Sequence, residues 1–337
     1  MTVGWAIIGT GYTSSRMAQC VRTGRNTKLV AVVSRNKDSA NKFAAEHGIK
    51  GAYGSLEEML HNPEVQAVYV GTPNDLHASQ TIQAGEAGKH VLCEKPMAPT
   101  VAECRSMMEV CKRHGVKLGI NFDYRQHPAH TKAREILASG GLGRVINVST
   151  QVCMRWQPRP LGSEKWFYRP GMVGHGAMSR IGVHRLDMMR FLLGQEVIEV
   201  GAYLGELTSE RPFEETGVVM LRFEKGALAT LHFSIEIPHG NNDTEINGSR
   251  ASLLMVGATN WNVQGGELHL KSDAVLTKYQ FQKTDMHRDN VEAFSKCIEE
   301  NTEPLATGTD GFRAAQICTA MFESVDQKRI VGIDLRC

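Results

Sequence analysis

Long apolar runs are missing from this chain. No stretch of its 337 residues approaches the roughly 18 consecutive apolar side chains that cross a bilayer, so no membrane partner is expected. The N-terminus reads straight into a short strand, without a basic-then-apolar leader, which places the expectation in the cytoplasm. An excess of one charge is missing too. The formal net charge is +2, which gives no case for a nucleic-acid partner. None of the eight cysteines forms a C-x-x-C pair, so neither a disulfide framework nor a zinc site is suggested. No other metal-ligand spacing, internal repeat or low-complexity tract is present. What remains is ordinary for a soluble globular protein, with 42% hydrophobic and 22% charged residues, and long enough for two domains with cores.

The chain opens as strand, glycine turn, helix. Residues 3–8 read as a buried strand, followed by Gly9-Thr10-Gly11-Tyr12-Thr13-Ser14 and a helix to about residue 22. Gly9 permits the tight turn and Gly11 a close approach of backbone to a pyrophosphate, with the helix N-terminus behind it. Ser14 stands where a third small residue is usual. A second strand, 28–33, ends in Ser34-Arg35-Asn36-Lys37. An NAD-selective site has an acid there. This chain offers cations instead, which favours NADP over NAD, although Arg35 stacked on the adenine face would also admit NAD.

Two further strand tips carry polar groups. Strand 67–70 runs into Gly71-Thr72-Pro73-Asn74-Asp75-Leu76-His77, a loop suited to line a ribose or amide, with His77 at a helix start. Strand 90–94 ends in Glu94-Lys95-Pro96 and presents a cation at the carboxyl edge of a sheet, where ligands of open α/β sheets sit. A helix at about 100–114 and strand 117–120, followed by Asn121, complete a β/α alternation that argues a parallel, doubly wound sheet. Beyond that point the pattern changes. A helix from 128 to about 140 is followed by strands at 144–153, 197–207, 216–223, 227–237, 244–256 and 266–271, with a helix at about 181–193. A mainly antiparallel open sheet fits them. The predicted domains are 1–122 and 123–337, with helices at about 287–328 able to pack back on the first.

Taken together, Gly9-Thr10-Gly11, Gly71-Thr72-Pro73-Asn74-x-x-His77, Lys89-His-Val-Leu-Cys-Glu94-Lys95-Pro96 and Gly174-His175-Gly176-x-x-x-Arg180-x-x-x-His184-x-x-Asp187 resemble the glucose–fructose oxidoreductase / inositol dehydrogenase / rhizopine catabolism protein family. The text from Gly71 to Gly143 reads most like its anhydrofructose reductase and sugar dehydrogenase branches. The resemblance implies an N-terminal Rossmann domain, a C-terminal α/β domain whose open sheet makes a homodimer or homotetramer contact, and a sugar site between the two. It implies a bond before Pro96 that is cis in some members. Gly9, Gly11, Tyr12, Thr13, Ser34, Arg35, Thr72, Pro73, Asn74, His77, Glu94, Lys95 and Asn121 are then the expected cofactor contacts.

Hydride transfer to or from a carbinol carbon needs a proton carrier and a group that stabilises charge on oxygen. His184 suits the first task and Lys95 the second. Helical spacing puts Arg180, His184 and Asp187 on one face, where Asp187 is expected to orient His184 or bind a substrate hydroxyl. Arg180 departs from the family, which usually has Asp there. An arginine makes the pocket cationic, lowers the Lys95 or His184 pKa so that either is a better base, and points to an anionic sugar such as a uronate, sulfosugar or sugar phosphate. An Arg180 paired with Asp187 or Asp123 would instead leave the pocket neutral. Tyr124, Arg125, Arg155, Trp156, Arg159 and Trp166 are the remaining expected substrate contacts. The leading function is an NAD(P)-dependent oxidoreductase acting on a sugar. A glycosidase that retains its dinucleotide through oxidation, elimination, hydration and reduction is the alternative, and a non-catalytic sensor the third class.

Overall fold

A computed structural model describes residues 2–155, 176–207, 213–258, 265–273 and 275–336. The described chain divides into two compact units, one holding Met1–Asp123 and His287–Ala315, the other holding the remaining described residues.

The first unit alternates strand and helix: β1 (Val3–Ile8), α1 (Tyr12–Thr23), β2 (Thr27–Val33), α2 (Lys37–His47), β3 (Gly51–Tyr53), α3 (Leu56–Leu60), β4 (Ala67–Val70), α4 (His77–Glu86), β5 (His90–Cys93), α5 (Val101–Arg113) and β6 (Leu118–Ile120). The six strands are parallel in the order β3-β2-β1-β4-β5-β6. β1 and β4 are buried at every position, so both faces of the sheet are covered and each strand reads as an unbroken apolar run. The order reverses between β1 and β4, and a ligand crevice opens beyond the carboxyl ends of strands at such a point. Polar caps fix the helix starts. Asn36 accepts from Asp38 and Ser39 amides, and Thr100 with Glu103 forms a capping box on α5.

The second unit begins at Tyr124, inside a 3₁₀ turn (Asp123–Gln126), and continues with α6 (Pro128–Ala138), β7 (Val145–Cys153), a π-helical turn (Met178–Gly182), α7 (Val183–Leu193), β8 (Val197–Gly205), β9 (Thr216–Phe223), β10 (Leu228–Ser234), β11 (Thr244–Gly248), β12 (Ser252–Val256), β13 (Gly266–Ser272) and β14 (Val275–Phe281). Then come α8 (Met286–Glu300), α9 (Gly308–Gln327) and β15 (Val331–Gly332). Nine strands form one sheet, β14-β13-β12-β11-β7-β10-β9-β8-β15, in which β7 and β10 pair in parallel and the other neighbours are antiparallel. Burial alternates along β9, with Val219, Leu221 and Phe223 inside while Val218 and Met220 lie outside. The expected strand 244–256 is two strands. Gly248 to Ala251 close a hairpin there, because Gly248 N–H donates to the Ala251 carbonyl. β3, β14 and β15 were not expected from the sequence.

α8 belongs to the first unit for a packing reason. Phe294 lies against Trp5, with centroids 5.7 Å apart, and Trp5 Nε1 donates to Ser295 Oγ at 2.9 Å. Phe294 also rests on Gly119, where a Cβ would come within 2.7 Å of its ring.

Candidate dinucleotide and catalytic site

The glycine turn lies at the reversal of strand order. Gly9 has φ +105°, and a Cβ there would sit 2.9 Å from the Gly71 carbonyl oxygen. Only glycine fits both demands. Ser14 is enclosed and donates to that same carbonyl at 3.2 Å, so the small residue does tie α1 to the loop after β4. Gly11 is different. Its backbone is extended, no side chain caps α1, and a Cβ would meet nothing within 4 Å. An uncapped helix N-terminus beneath open space fits a dinucleotide pyrophosphate. Tyr12 and Thr13 are exposed beside it. Gly11→Ala is therefore expected to leave the melting temperature unchanged while weakening dinucleotide binding about tenfold or more. Fluorescence titration with both cofactors checks this.

At the tip of β2, Ser34 is half-buried and Arg35 exposed. The two expected cations separate here. Lys37 donates to the Ala52 carbonyl and lies 5.7 Å from the Tyr53 ring centroid, so it is drawn back onto β3. Arg35 is left as the cation at the tip.

The loop after β4 and the tip of β5 are joined by His77. Its ring is enclosed, with Nε2 3.0 Å from the Thr72 carbonyl and Nδ1 3.0 Å from the Pro96 carbonyl. Burial pushes its pKa down, against the pull of those carbonyls. Any hold of His77 on a cofactor thus runs through Thr72 and Pro73, which are half-buried; Asn74 is buried. The Lys95–Pro96 bond is cis. Glu94 accepts three hydrogen bonds, from Tyr69 Oη at 2.6 Å, Asn121 Nδ2 at 2.6 Å and the Lys95 amide at 3.0 Å. Asn121 Oδ1 accepts in turn from Asn290 at 2.9 Å. Burial, together with Glu94, pushes the Tyr69 hydroxyl well above its usual range, so it stays a donor. Glu94 and Asn121 are buried in this network, while Lys95 is half-buried at its end. The Glu94 carboxylate thereby holds the main chain at the β5 tip.

In the second unit Arg180 lies on the π turn and His184 one residue into α7, both half-buried. π turns within helices recur at functional sites. His184 meets the Tyr124 ring edge-on, 5.0 Å between centroids. Arg155 is exposed at an isolated bridge to Glu236. Trp156, Arg159 and Trp166 lie outside the described residues. Two expected site residues meet each other. Asp187 was expected to serve His184 or substrate, and Arg125 to reach substrate. The Arg125 guanidinium grips both Asp187 oxygens, at 2.9 and 2.6 Å, and Arg190 lies 3.7 Å away. Both side chains are buried, and the pair ties α7 to the turn at Asp123–Gln126. Helical spacing identifies a face but not the partner awaiting it.

Sequence reasoning missed Glu214. It is buried, and its carboxylate accepts from the Gly176 and Met178 amides at 2.9 and 3.0 Å, capping the helix that carries Arg180 and His184. It also missed the pairing of Asp123 with His287, 3.0 Å apart. No spacing signal announces either contact.

A model described as oxidoreductase family, NAD-binding Rossmann fold, matches residues 3–122, and the GFO/IDH/MocA C-terminal domain matches residues 130–254. The 1,5-anhydro-D-fructose reductase of Ensifer adhaerens is 30% identical over 310 residues, covering 91% of each chain. The chain belongs to the Gfo/Idh/MocA family. Another member, D-xylose 1-dehydrogenase (NADP(+)) 2 of Haloferax volcanii, is 29% identical over 91% of this chain and 92% of its own. The aldose-aldose oxidoreductase of Caulobacter crescentus, solved with glycerol, matches with a TM-score of 0.90 at 27% identity over 99% of this chain and 100% of its own. As a member of this family the chain is an NAD(P)-dependent oxidoreductase, and its two sheets are those of the family fold.

Proposed function

We propose that this enzyme moves a hydride between a nicotinamide and a hydroxyl-bearing carbon of a sugar, with NADP the preferred cofactor. The observation that carries the reading is the β5 tip, where a buried, triply hydrogen-bonded Glu94 fixes the main chain of Lys95 at the carboxyl edge of the Rossmann sheet. Gly9, Gly11, Tyr12 and Thr13 would hold the pyrophosphate, Ser34 and Arg35 the adenosine end, and Thr72 and Pro73 the ribose side. The bound nicotinamide supplies or accepts the hydride at its C4 carbon. Lys95 as an ammonium stabilises negative charge on the reacting oxygen, and His184 or the Lys95 amine exchanges the hydroxyl proton.

Arg180 supports an anionic sugar, because a guanidinium binds planar anions through two parallel hydrogen bonds. The outward face of the large sheet supports a second copy of the chain as partner. Tyr203, Val218 and Met220 are exposed there, and Tyr203 and Val218 are neighbours across β8 and β9. Turnover and thermal-shift screens with neutral sugars, uronates and sugar phosphates test the substrate class. A response to neutral sugars alone would sink the anionic reading. For the cofactor, Arg35→Ala is expected to raise the Kd of NADP about tenfold and that of NAD less than about threefold. An equal loss for both would instead point to stacking of Arg35 on the adenine.

A further inference from the structure

Asn290 was outside the expected site, yet an unbroken run of hydrogen bonds joins it to the main chain of the proposed reacting group. α8 turns Val291, Phe294 and Ser295 inward onto the core of the first unit, and Asn290 is buried beside them. A buried amide is costly unless its polar atoms are paired. Asn290 Nδ2 donates to Asn121 Oδ1 at 2.9 Å. Asn121 Nδ2 donates to Glu94 Oε1 at 2.6 Å, and Glu94 Oε2 accepts from the Lys95 amide at 3.0 Å. Main-chain bonds pin the residues between. The Asn121 amide donates to the Cys93 carbonyl at 2.8 Å, and the Glu94 amide to the Val70 carbonyl at 3.0 Å. Every link lies within the first unit.

The run has a polarity. A carboxylate only accepts hydrogen bonds, so Asn121 must face Glu94 with its NH₂ and turn its carbonyl away. The group that meets this carbonyl must then donate. An amide at position 290 does so. A carboxylate of the same shape would set two acceptors together, or turn the Asn121 amide over and press its carbonyl against Glu94. We propose that Asn290 is a positioning residue for Lys95: by donating to Asn121 it decides which end of that amide meets Glu94, and so steadies the main chain from which the Lys95 side chain is aimed. The proposal rests on the reading of Lys95 as a reacting group. A helix from the far end of the sequence thereby sets the aim of the β5 tip.

The test uses the full chain with NADP⁺, and with D-xylose and D-glucuronate as neutral and anionic sugar probes. Asn290→Asp keeps the shape and removes the donor. It is expected to lower kcat about tenfold or more at pH 8, with KM and cofactor Kd nearly unchanged. Burial and the neighbouring Glu94 raise the pKa of the introduced carboxyl. As the pH falls it gains a proton and donates to Asn121 Oδ1, so the rate relative to wild type climbs toward pH 6. The other ionisable groups around the position are Tyr69 behind Glu94, Lys95, the Asp123–His287 pair, 3.0 Å apart, and Arg288 with Asp289. Wild type shares all of them, and the ratio of rates cancels their titration. Asn290→Leu removes the donor without adding a titrating group, and is expected to lose about threefold or more in kcat at every pH. Wild-type rates in Asn290→Asp from pH 6 to pH 8, or equal and pH-independent losses in the two variants, overturn the proposal, since Asn290 would then only pack. Lys95→Met separates this from failure of the underlying reading. An inactive Lys95→Met beside a normal Asn290→Asp removes the positioning role alone, whereas an active Lys95→Met removes both ideas. The Lys95 amide proton, followed by NMR in the NADP⁺-bound enzyme, needs no turnover. It is expected to move upfield in Asn290→Leu as its bond to Glu94 loosens, and an unmoved resonance rejects the coupling.

Discussion

Lys95→Met is expected to lower kcat about 10³-fold, equivalent to roughly 4 kcal/mol of transition-state stabilisation, while the enzyme folds and binds its dinucleotide as before. The separation of effects follows from how the β5 tip is built. What Glu94 holds is the Lys95 main-chain amide, and that hydrogen bond survives any side chain at the position. Tyr69 and Asn121 keep Glu94 in place from β4 and from the end of β6. Methionine keeps much of the aliphatic stem and removes the charge. Lys95→Arg is expected to recover little, because a guanidinium remains protonated and presents a planar fork where a single ammonium was aimed. Steady-state kinetics beside cofactor titration and melting curves check all three statements. A Lys95→Met enzyme that loses cofactor affinity in proportion to kcat would make Lys95 a binding group instead.

The Rossmann unit was legible because its signals are local. β1 and β4 are covered on both faces and so are written as short apolar runs, and Gly9 marks a turn that only glycine can make. The cation at the β2 tip was half legible. Two cations stood after β2, but only the structure shows Lys37 drawn onto Tyr53 and the Ala52 carbonyl, leaving Arg35. The boundaries that were missed have equally local causes. β3 is three residues long, too short for a period to register, and β15 is shorter still. Asn247-Gly248 is a turn signal inside residues 244–256, but strand-like alternation continues on both sides of it and hides that two short strands flank the turn. What no local rule reveals is which distant group meets a polar side chain. Glu94 reads like a group that faces a ligand until Tyr69 and Asn121 are seen to surround it. His287 looks like a solvated helix start until Asp123 is found beside it.

Asp187 is the case in which that limit has the largest consequence for stability. Asp187→Ala is expected to destabilise the protein by about 3–5 kcal/mol, because it leaves the buried Arg125 guanidinium without its counter-ion. Arg190 is affected less, since it also binds Glu196 bidentately, with both contacts at 2.7 Å. Arg125 does stack over Phe191, 5.0 Å from the ring centroid, but a ring face does not replace a carboxylate at 2.6 Å. For a unit of this size the loss corresponds to a drop in melting temperature of roughly 6–20 °C. The paired change Arg125→Met with Asp187→Leu is expected to recover most of it, since apolar side chains of similar volume replace a buried ion pair at little cost. Activity should follow the folded fraction in both enzymes. If Asp187 instead acted in the chemistry, Asp187→Asn would melt like the wild type and fail to turn over, and the paired change would be stable and inactive. Melting curves and kcat measured on the same three preparations decide between an anchor for α7 and a member of the catalytic set.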